Sequence, residues 1–210
     1  MIPLIQKFKT VVLANGDFPS HKIPLEALLN ADHIICCDGV VQNLLNFGLK
    51  PSYIIGDLDS ISEELKKHFF NILVYVSDQE TNDLTKAVDF CCKMNLLEIT
   101  VLGATGKRED HTLGNLSLLL DYAEKVKIQL FSDYGVFNPI FGTSTFESYS
   151  GQQISIFSFC QNTCITSQNL IYPLLNRKLN SLWEGSLNES NEKHFDIQFD
   201  KGKVLIFRKF

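Results

Sequence analysis

The feature that most constrains the fold is a regular alternation of short apolar runs and helical segments over the first 131 residues. Six apolar runs have the length of buried strands: residues 9–14, 31–37, 53–55, 73–76, 98–102 and 126–131. Five segments between them show helical spacing or helix caps: residues 23–30, 40–47, 61–69, 82–95 and 111–125. Strands that alternate with helices predict an open α/β domain with a largely parallel sheet and flanking helices.

The pattern changes after Asp133. Short runs rich in Ser, Thr, Phe and Ile follow, separated by turn-rich stretches. The runs that alternate as strands do are residues 144–149, 153–159, 163–167, 194–199 and 203–210. This half predicts a small antiparallel β-sandwich. We therefore expect two domains, residues 1–134 and 135–210, with the boundary near Asp133–Pro139.

Composition narrows the class of protein. The chain has 210 residues, of which 45% are hydrophobic, so it can bury the core of one large domain or two small ones. Its net charge of -5 argues against a general nucleic-acid or membrane-surface binder, which would carry a basic patch. No secretory leader pattern and no apolar run of membrane-spanning length occur, so we expect a cytoplasmic protein without a nucleic-acid or membrane partner. The six cysteines lack zinc-site spacing and are expected to be buried free thiols.

An acidic turn follows the third predicted strand, at residues 56–60. Gly56 allows the backbone to turn, and Asp57 and Asp59 stand two residues apart. If the chain stays extended here, both carboxylates point the same way. Carboxylate oxygens at a strand end suit Mg²⁺, which shares its ligand shell with substrate phosphates. The alternative is an ordinary acidic turn, since Asp and Ser are common turn residues.

Polar and acidic residues also follow the other predicted strands of the first domain. They are Asn15 and Asp17, Asp38, residues 78–83 and residues 103–111. Ligands of open α/β sheets bind at the carboxyl ends of the strands, where these segments meet. Because so many carboxylates would repel one another, a divalent metal carrying a polyphosphate is the expected occupant.

A glycine-containing turn before the last helix of this domain carries Lys107 and Arg108. Cationic side chains and backbone N–H groups at such a turn suit phosphate binding. The alternative for Arg108 is a surface ion pair with Glu109 or Asp110. For Asp110 and His111 the alternative is a helix cap followed by a partly buried histidine.

Taken together, these strand ends resemble the motifs of the thiamine pyrophosphokinase family. The matching residues are Asn15 and Gly16, Asp38 and Gly39, Gly56 to Ser60, Asp78, Gln79, Asp83 and Lys86, and Gly103, Gly106, Arg108, Asp110 and His111. The resemblance implies a nucleotide- and metal-binding α/β catalytic domain, a thiamine-binding β domain, and a homodimer with active sites between subunits. It implies Mg²⁺-dependent transfer of a pyrophosphoryl group from ATP to the hydroxyl of thiamine. Two alternatives remain: a metal-dependent nucleotide phosphohydrolase, and a non-catalytic nucleotide- or thiamine-binding regulator.

The resemblance also implies roles for individual residues. Asp57, Asp59 and Asp83 correspond to Mg²⁺-binding acids, and together with Arg108 they form the expected catalytic set. The further expected contacts with nucleotide or thiamine are Asn15, Asp38, Gln79, Asn82, Lys86, Arg108, Asp110, His111, Ser186 and Asn188. The second domain departs from the family's Ser-Asn pair, because Leu187 precedes Asn188 and the serine stands one place earlier. Trp183 is expected either to stack on an aromatic ring or to belong to the core.

Overall fold

A computed structural model describes residues 8–160 and 162–210. The described residues up to Asp133 form one compact unit, and Tyr134–Phe210 form another. The catalytic and thiamine-binding roles expected of the two domains stay predictions. No helix in the described part of the chain is long and apolar enough to cross a membrane.

The first unit is built on six parallel strands. They are β1 (Thr10–Leu13), β2 (His33–Cys37), β3 (Tyr53–Gly56), β4 (Leu73–Tyr75), β5 (Glu98–Leu102) and β6 (Lys127–Phe131). Their order across the sheet is β6-β5-β1-β2-β3-β4, and every pairing is parallel. Val11 of the central strand lies opposite Ile34 on one side and Thr100 on the other. The predicted open parallel sheet is confirmed.

Five helices connect these strands. Among the described residues they are α1 (Lys22–Leu29), α2 (Val41–Asn46), α3 (Glu63–His68), α4 (Asp83–Lys93) and α5 (Glu109–Tyr122). A 3-10 turn at Asp38–Val40 follows β2, and another at Phe70–Ile72 precedes β4. Helix α4 buries Leu84, Ala87, Val88 and Cys91, which share one helical face. All four residues of β1 are buried. Continuous burial explains why these strands are apolar runs rather than alternating ones.

The start of α3 differs from the prediction. The predicted helical segment, residues 61–69, begins directly after Ser60, but the structure begins α3 at Glu63 and caps it with Ser62, whose Oγ accepts a hydrogen bond from the Leu65 N–H at 3.3 Å. Ser60 remains in the acidic turn and donates to Asp59 Oδ1 at 3.0 Å. Ser62 therefore caps α3, whereas Ser60, two residues earlier, belongs to the acidic turn.

The described residues of the second unit form eight antiparallel strands. They are β7 (Gly135–Ile140), β8 (Ser144–Glu147), β9 (Gln153–Ser158), β10 (Cys164–Gln168), β11 (Arg177–Lys178), β12 (Asn188–Glu189), β13 (His194–Gln198) and β14 (Val204–Lys209). Two groups form, in the orders β12-β9-β14-β7 and β11-β10-β13-β8. Strand β9 (Ile154, Ile156) and strand β13 (Phe195, Ile197) contribute alternate, fully buried residues to one core. The predicted antiparallel β-sandwich is confirmed.

The cysteines form no disulfides. All six are free: Cys36, Cys37 and Cys91 are buried, whereas Cys92, Cys160 and Cys164 are half-buried. Burial raises the pKa of the Cys91 thiol to about 12 and raises the pKa of Cys37 as well. These buried thiols stay protonated at neutral pH and behave as small apolar side chains.

Candidate active site

Three carboxylates of the first unit meet at the carboxyl ends of β2 and β3. One oxygen from each of Asp38, Asp57 and Asp59 lies within 4.8 Å of the others. We call this set the acidic cluster. Asp38 directly follows β2, and Asp57 and Asp59 follow β3, so the parallel pairing of the two strands brings them together. Carboxylate oxygens are the ligands that Mg²⁺ prefers.

The turn that carries Asp57 and Asp59 is not extended, so the condition under which strand alternation would align the two carboxylates is not met. Leu58 has a left-handed backbone, with φ of 62°. Its N–H donates to Asp38 Oδ2 at 2.8 Å, and the Asp59 N–H donates to Asp57 Oδ1 at 3.2 Å. A tight turn fastened by the carboxylates, rather than strand alternation, therefore brings the two acids to the same place.

Gly56 permits the close approach of Asp38. A Cβ added at Gly56 would lie 2.6 Å from both Cγ and Oδ2 of Asp38. Carbon atoms of real side chains do not approach so closely, so any larger residue would displace the carboxylate. The glycine at the end of β3 is thus a packing requirement of the acidic cluster.

The carboxyl groups of the acidic cluster differ in pKa. Asp38 is only 3% exposed, and this burial raises the pKa of its carboxyl to about 6; the charge of Asp83 adds to the shift, while the Leu58 N–H opposes it. The pKa of Asp57 is lowered, chiefly by the hydrogen bond from the Asp59 N–H. The fold therefore keeps a buried acid that a nearby cation would help to ionise.

Asp83, the predicted third metal ligand, is not one of the three acids that come together. Its carboxylate accepts a hydrogen bond from Lys86 Nζ at 3.0 Å. Lys86 is 7% exposed, and burial alone would lower its pKa, but the hydrogen bond and charge of Asp83 outweigh it and the pKa is raised. Asp83 as a metal ligand stays a prediction, and Asp38, expected only as a substrate contact, takes the third place in the acidic cluster.

A cavity of about 490 Å³ opens beside these acids. Eight of the predicted site residues line it: Asn15, Asp57, Gln79, Asn82, Asp83, Lys86, Arg108 and His111. The cavity also borders Lys107, which the sequence places on the turn suited to phosphate binding, and Thr81 and Asn115, which were not predicted individually. Asn115 lies four residues after His111 on α5, so helical spacing from His111 was the signal that could have found it.

Arg108 and Asp110 form an ion pair with each other. Arg108 Nε donates to Asp110 Oδ1 at 3.0 Å, and a terminal guanidinium nitrogen donates to Oδ2 at 2.6 Å. The His111 N–H also donates to Asp110 Oδ1, at 3.0 Å. The ion pair weighed as the alternative for Arg108 is thus present, and a phosphate contact by this residue stays a prediction.

Polar side chains around the cavity hold one another. Lys107 Nζ donates to the Asn15 carbonyl oxygen at 3.0 Å and to Asn15 Oδ1 at 3.1 Å. Asn82 caps α4 by accepting from the Thr85 N–H at 2.9 Å, and its Nδ2 donates to Asn115 Oδ1 at 3.2 Å. The side-chain oxygen of Asn82 therefore caps the helix, while its amide group lies at the cavity.

The two predicted thiamine contacts lie in the second unit, where local bonds occupy them. Asn188 is 5% exposed; its Nδ2 donates to the Tyr172 carbonyl at 2.7 Å, and its Oδ1 accepts from the Tyr172 N–H at 3.1 Å. Ser186 Oγ donates to the Trp183 carbonyl at 2.7 Å. Trp183 itself is 74% exposed, so it is not a core residue. Whether these side chains bind thiamine stays a prediction.

Family models match both units. The model described as the thiamin pyrophosphokinase catalytic domain matches residues 25–131, and the one for the thiamin pyrophosphokinase substrate-binding domain matches residues 135–207. Among relatives, thiamine pyrophosphokinase 1 of Oryza sativa subsp. japonica is 38% identical over 94 residues, covering 40% of this chain and 35% of the relative. Thiamine pyrophosphokinase of Bacillus subtilis is 31% identical over 129 residues, covering 58% and 60%.

The fold agrees with these matches. A crystal structure of thiamine pyrophosphokinase from Bacillus subtilis has a TM-score of 0.79 and 27% identity, with 96% of this chain and 99% of that chain covered. In the sequence alignments the chain spans only 35% to 60% of the two relatives' lengths. Since the two family models together match most of the sequence, and the fold matches over nearly its whole length, the chain belongs to the thiamin pyrophosphokinase family.

Proposed function

We propose that the protein is a thiamine diphosphokinase, which converts ATP and thiamine to AMP and thiamine diphosphate. The observation that carries the proposal is the acidic cluster beside a cavity lined by cations, in a chain of this family. The thiamine hydroxyl oxygen attacks the β-phosphorus of ATP, and the bond from that phosphorus to the bridging oxygen of AMP breaks. The hydroxyl proton passes to a carboxylate of the site.

The donor set fits Mg²⁺. The acidic cluster offers only carboxylate oxygens, and hard cations of this size bind such oxygens in preference to nitrogen or sulfur. Asp57, Asp59 and Asp83 would hold the ion, with Asp38, the third member of the acidic cluster, beside them. When bound, Mg²⁺ supplies positive charge that offsets the negative charge of the polyphosphate.

The chain's own residues position the nucleotide and balance its charge. Lys86 keeps a buried positive charge next to Asp83, and the charge of Asp57 also favours its protonated form. Arg108 carries a planar guanidinium at the cavity and offsets charge that develops on the phosphate oxygens during transfer. Such positioning and electrostatic stabilisation account for most of the catalysis in phosphoryl transfer.

Thiamine, which is an aromatic cation, needs an aromatic face and polar partners. We assign these to the second unit, where Trp183 offers an exposed ring and lies close in sequence to Ser186 and Asn188. We further propose a homodimer in which the second unit of one subunit completes the active site of the other. A cytoplasmic location also stays a prediction.

The test is product analysis with the purified protein, ATP and Mg²⁺, with and without thiamine. A thiamine diphosphokinase releases AMP only when thiamine is present and forms thiamine diphosphate in equal amount. Release of phosphate or pyrophosphate without thiamine would instead support the nucleotide phosphohydrolase. Binding of either ligand with no product under any condition would support the regulator.

A further inference from the structure

Three cationic side chains line the cavity, but they are not equally available to an anion. Lys86 is held by Asp83 at 3.0 Å, and Arg108 is held by Asp110 at 2.6 Å. Each of these two cations must therefore give up or share a carboxylate partner when it binds an anion. Lys107 differs, because the partners of its Nζ are two neutral oxygens of Asn15, at 3.0 and 3.1 Å. Within residues 8–160 and 162–210, Lys107 is the cavity cation that forms no ion pair with a carboxylate.

Lys107 has a backbone conformation that is strained for a residue with a side chain. Lys107 has φ of 57° and follows Gly106, which has φ of 79°. Residues with a Cβ rarely adopt the left-handed region, whereas glycine adopts it without strain. The chain thus presents an ammonium group at this turn although the local backbone favours glycine.

Asn15 fixes where that ammonium group lies. Asn15 follows β1, the strand next to β2 and β5, and so stands at the carboxyl edge of the sheet. A Cβ added at Gly39 would lie 3.0 Å from Asn15 Cγ, so the absence of a side chain there leaves room for the amide. With the Asn15 amide packed in place, Lys107 Nζ is held over the end of a central strand.

We propose that Lys107 is a nucleotide-binding residue whose ammonium group provides the uncompensated positive charge that captures the phosphates of ATP. The inference deepens the proposed function and rests on it for the identity of the anion. Neutral oxygens hold an ammonium group less strongly than carboxylates do, so Lys107 can exchange Asn15 for a phosphate at smaller cost than Lys86 or Arg108 can exchange their partners. The interaction between Lys107 and the phosphates forms when ATP binds and stays equally strong in the transition state. It therefore affects the affinity for ATP rather than kcat.

The test compares Lys107→Met, Lys107→Arg and Lys107→Gly with the wild-type protein, using calorimetric titration of ATP and steady-state kinetics. Lys107→Met should raise the Kd and the KM for ATP about tenfold, the effect of losing one hydrogen bond to a charged group. Its kcat and its KM for thiamine should stay within about twofold of wild type. Lys107→Arg keeps the charge and should recover most of the affinity. Lys50→Met, which removes an exposed lysine just before β3, is the matched control and should bind ATP normally.

Lys107→Gly separates binding from folding. It removes the charge but relieves the left-handed strain, so its melting temperature should equal or exceed that of wild type while its affinity for ATP falls. A merely structural lysine would show affinity and melting temperature falling together. The salt dependence of ATP binding should also be weaker in Lys107→Met than in wild type.

The outcomes distinguish this inference from the proposed function. If wild type forms thiamine diphosphate but Lys107→Met and Lys107→Gly bind ATP as tightly as wild type, only the inference is overturned. If wild type binds ATP and Lys107→Met weakens that binding, but no thiamine diphosphate forms, the inference stands and the proposed function fails. Wild-type protein that binds no ATP would overturn both, and an equal loss in Lys50→Met would overturn the specific role of Lys107.

Discussion

Replacing Asp38 by Asn should stabilise the metal-free protein at neutral pH while impairing its activity. The pKa of Asp38 is raised from 3.8 to about 6, chiefly by burial. A raised acid pKa means that the folded state binds the proton more tightly than the unfolded state. The free energy of unfolding therefore falls as the pH rises from about 4 to about 6 and stays lower above that.

The magnitude follows from this shift. The rise of the Asp38 pKa from 3.8 to about 6 corresponds to roughly 3 kcal/mol, since a pKa difference of one is about 1.4 kcal/mol. The amide of Asn cannot ionise, so it avoids this penalty. The Asp38 carboxylate has two acceptor oxygens, and its pKa is lowered by hydrogen bonds from the Leu58 and Gly39 N–H groups. The amide of Asn has only one acceptor oxygen, so it can keep only one of these two bonds. Losing one such bond costs about 1 kcal/mol, which leaves a net gain of about 2 kcal/mol above pH 7.

The assay is urea unfolding at pH 4.5 and pH 7.5 in the presence of EDTA, so that no divalent metal contributes. Asp38→Asn should be more stable than wild type at pH 7.5 and should lose most of this advantage at pH 4.5. Asp57→Asn is the matched control: the pKa of Asp57 is lowered, so its replacement should give no gain at pH 7.5. An Asp38→Asn variant with the same stability difference at both pH values would refute the electrostatic reasoning.

Three further predictions concern the site and its assembly. Gly56→Ala should displace Asp38 and so reduce activity and Mg²⁺ affinity together, while the circular dichroism spectrum stays near-native. Unchanged activity would show that the close approach of Asp38 to Gly56 is not needed. Arg108→Ala should lower kcat by about a hundredfold with a smaller change in ATP binding, and unchanged kinetics would leave only its ion pair with Asp110. Mixing inactive Asp57→Asn and Asn188→Ala subunits after dissociation should restore about a quarter of full activity if sites are shared, and none if each chain builds its own.

The α/β half was predictable because most of its strands are buried; the edge strand β4 is the exception among the described residues. A parallel strand covered by helices must be a continuous apolar run, so β1 and β5 were visible as such in the sequence. The polar residues directly after these runs then had to lie at one edge of the sheet, and most predicted residues of the first unit do border one cavity there. For long, fully buried strands, the local apolar pattern is therefore enough to predict where the residues after them lie in the fold.

Other features depend on contacts that no local pattern carries. The left-handed conformation of Leu58 is unusual for a leucine and follows from the bond of its N–H to Asp38, twenty residues away. The membership of Asp38 in the acidic cluster depends in turn on its packing against Gly56. Strands β11 and β12 have two residues each, too few to show any alternation.

Strand β7 was missed for a different reason. It contains Pro139, which lacks an N–H donor, and proline within a run argues against a strand. In the structure Pro139 lies opposite Leu205 of β14, within a pairing of the two strands that spans six residue pairs in all. Pairing with a neighbouring strand therefore outweighed the loss of a single donor.

The central claim, that the site transfers a pyrophosphoryl group from ATP to thiamine, is tested most directly with ATP labelled at the β-phosphorus. The purified protein with Mg²⁺ and thiamine should place the label in thiamine diphosphate and release unlabelled AMP in equal amount, and Asp57→Asn should do neither. Label recovered in ADP, pyrophosphate or inorganic phosphate, with thiamine unchanged, would contradict the account.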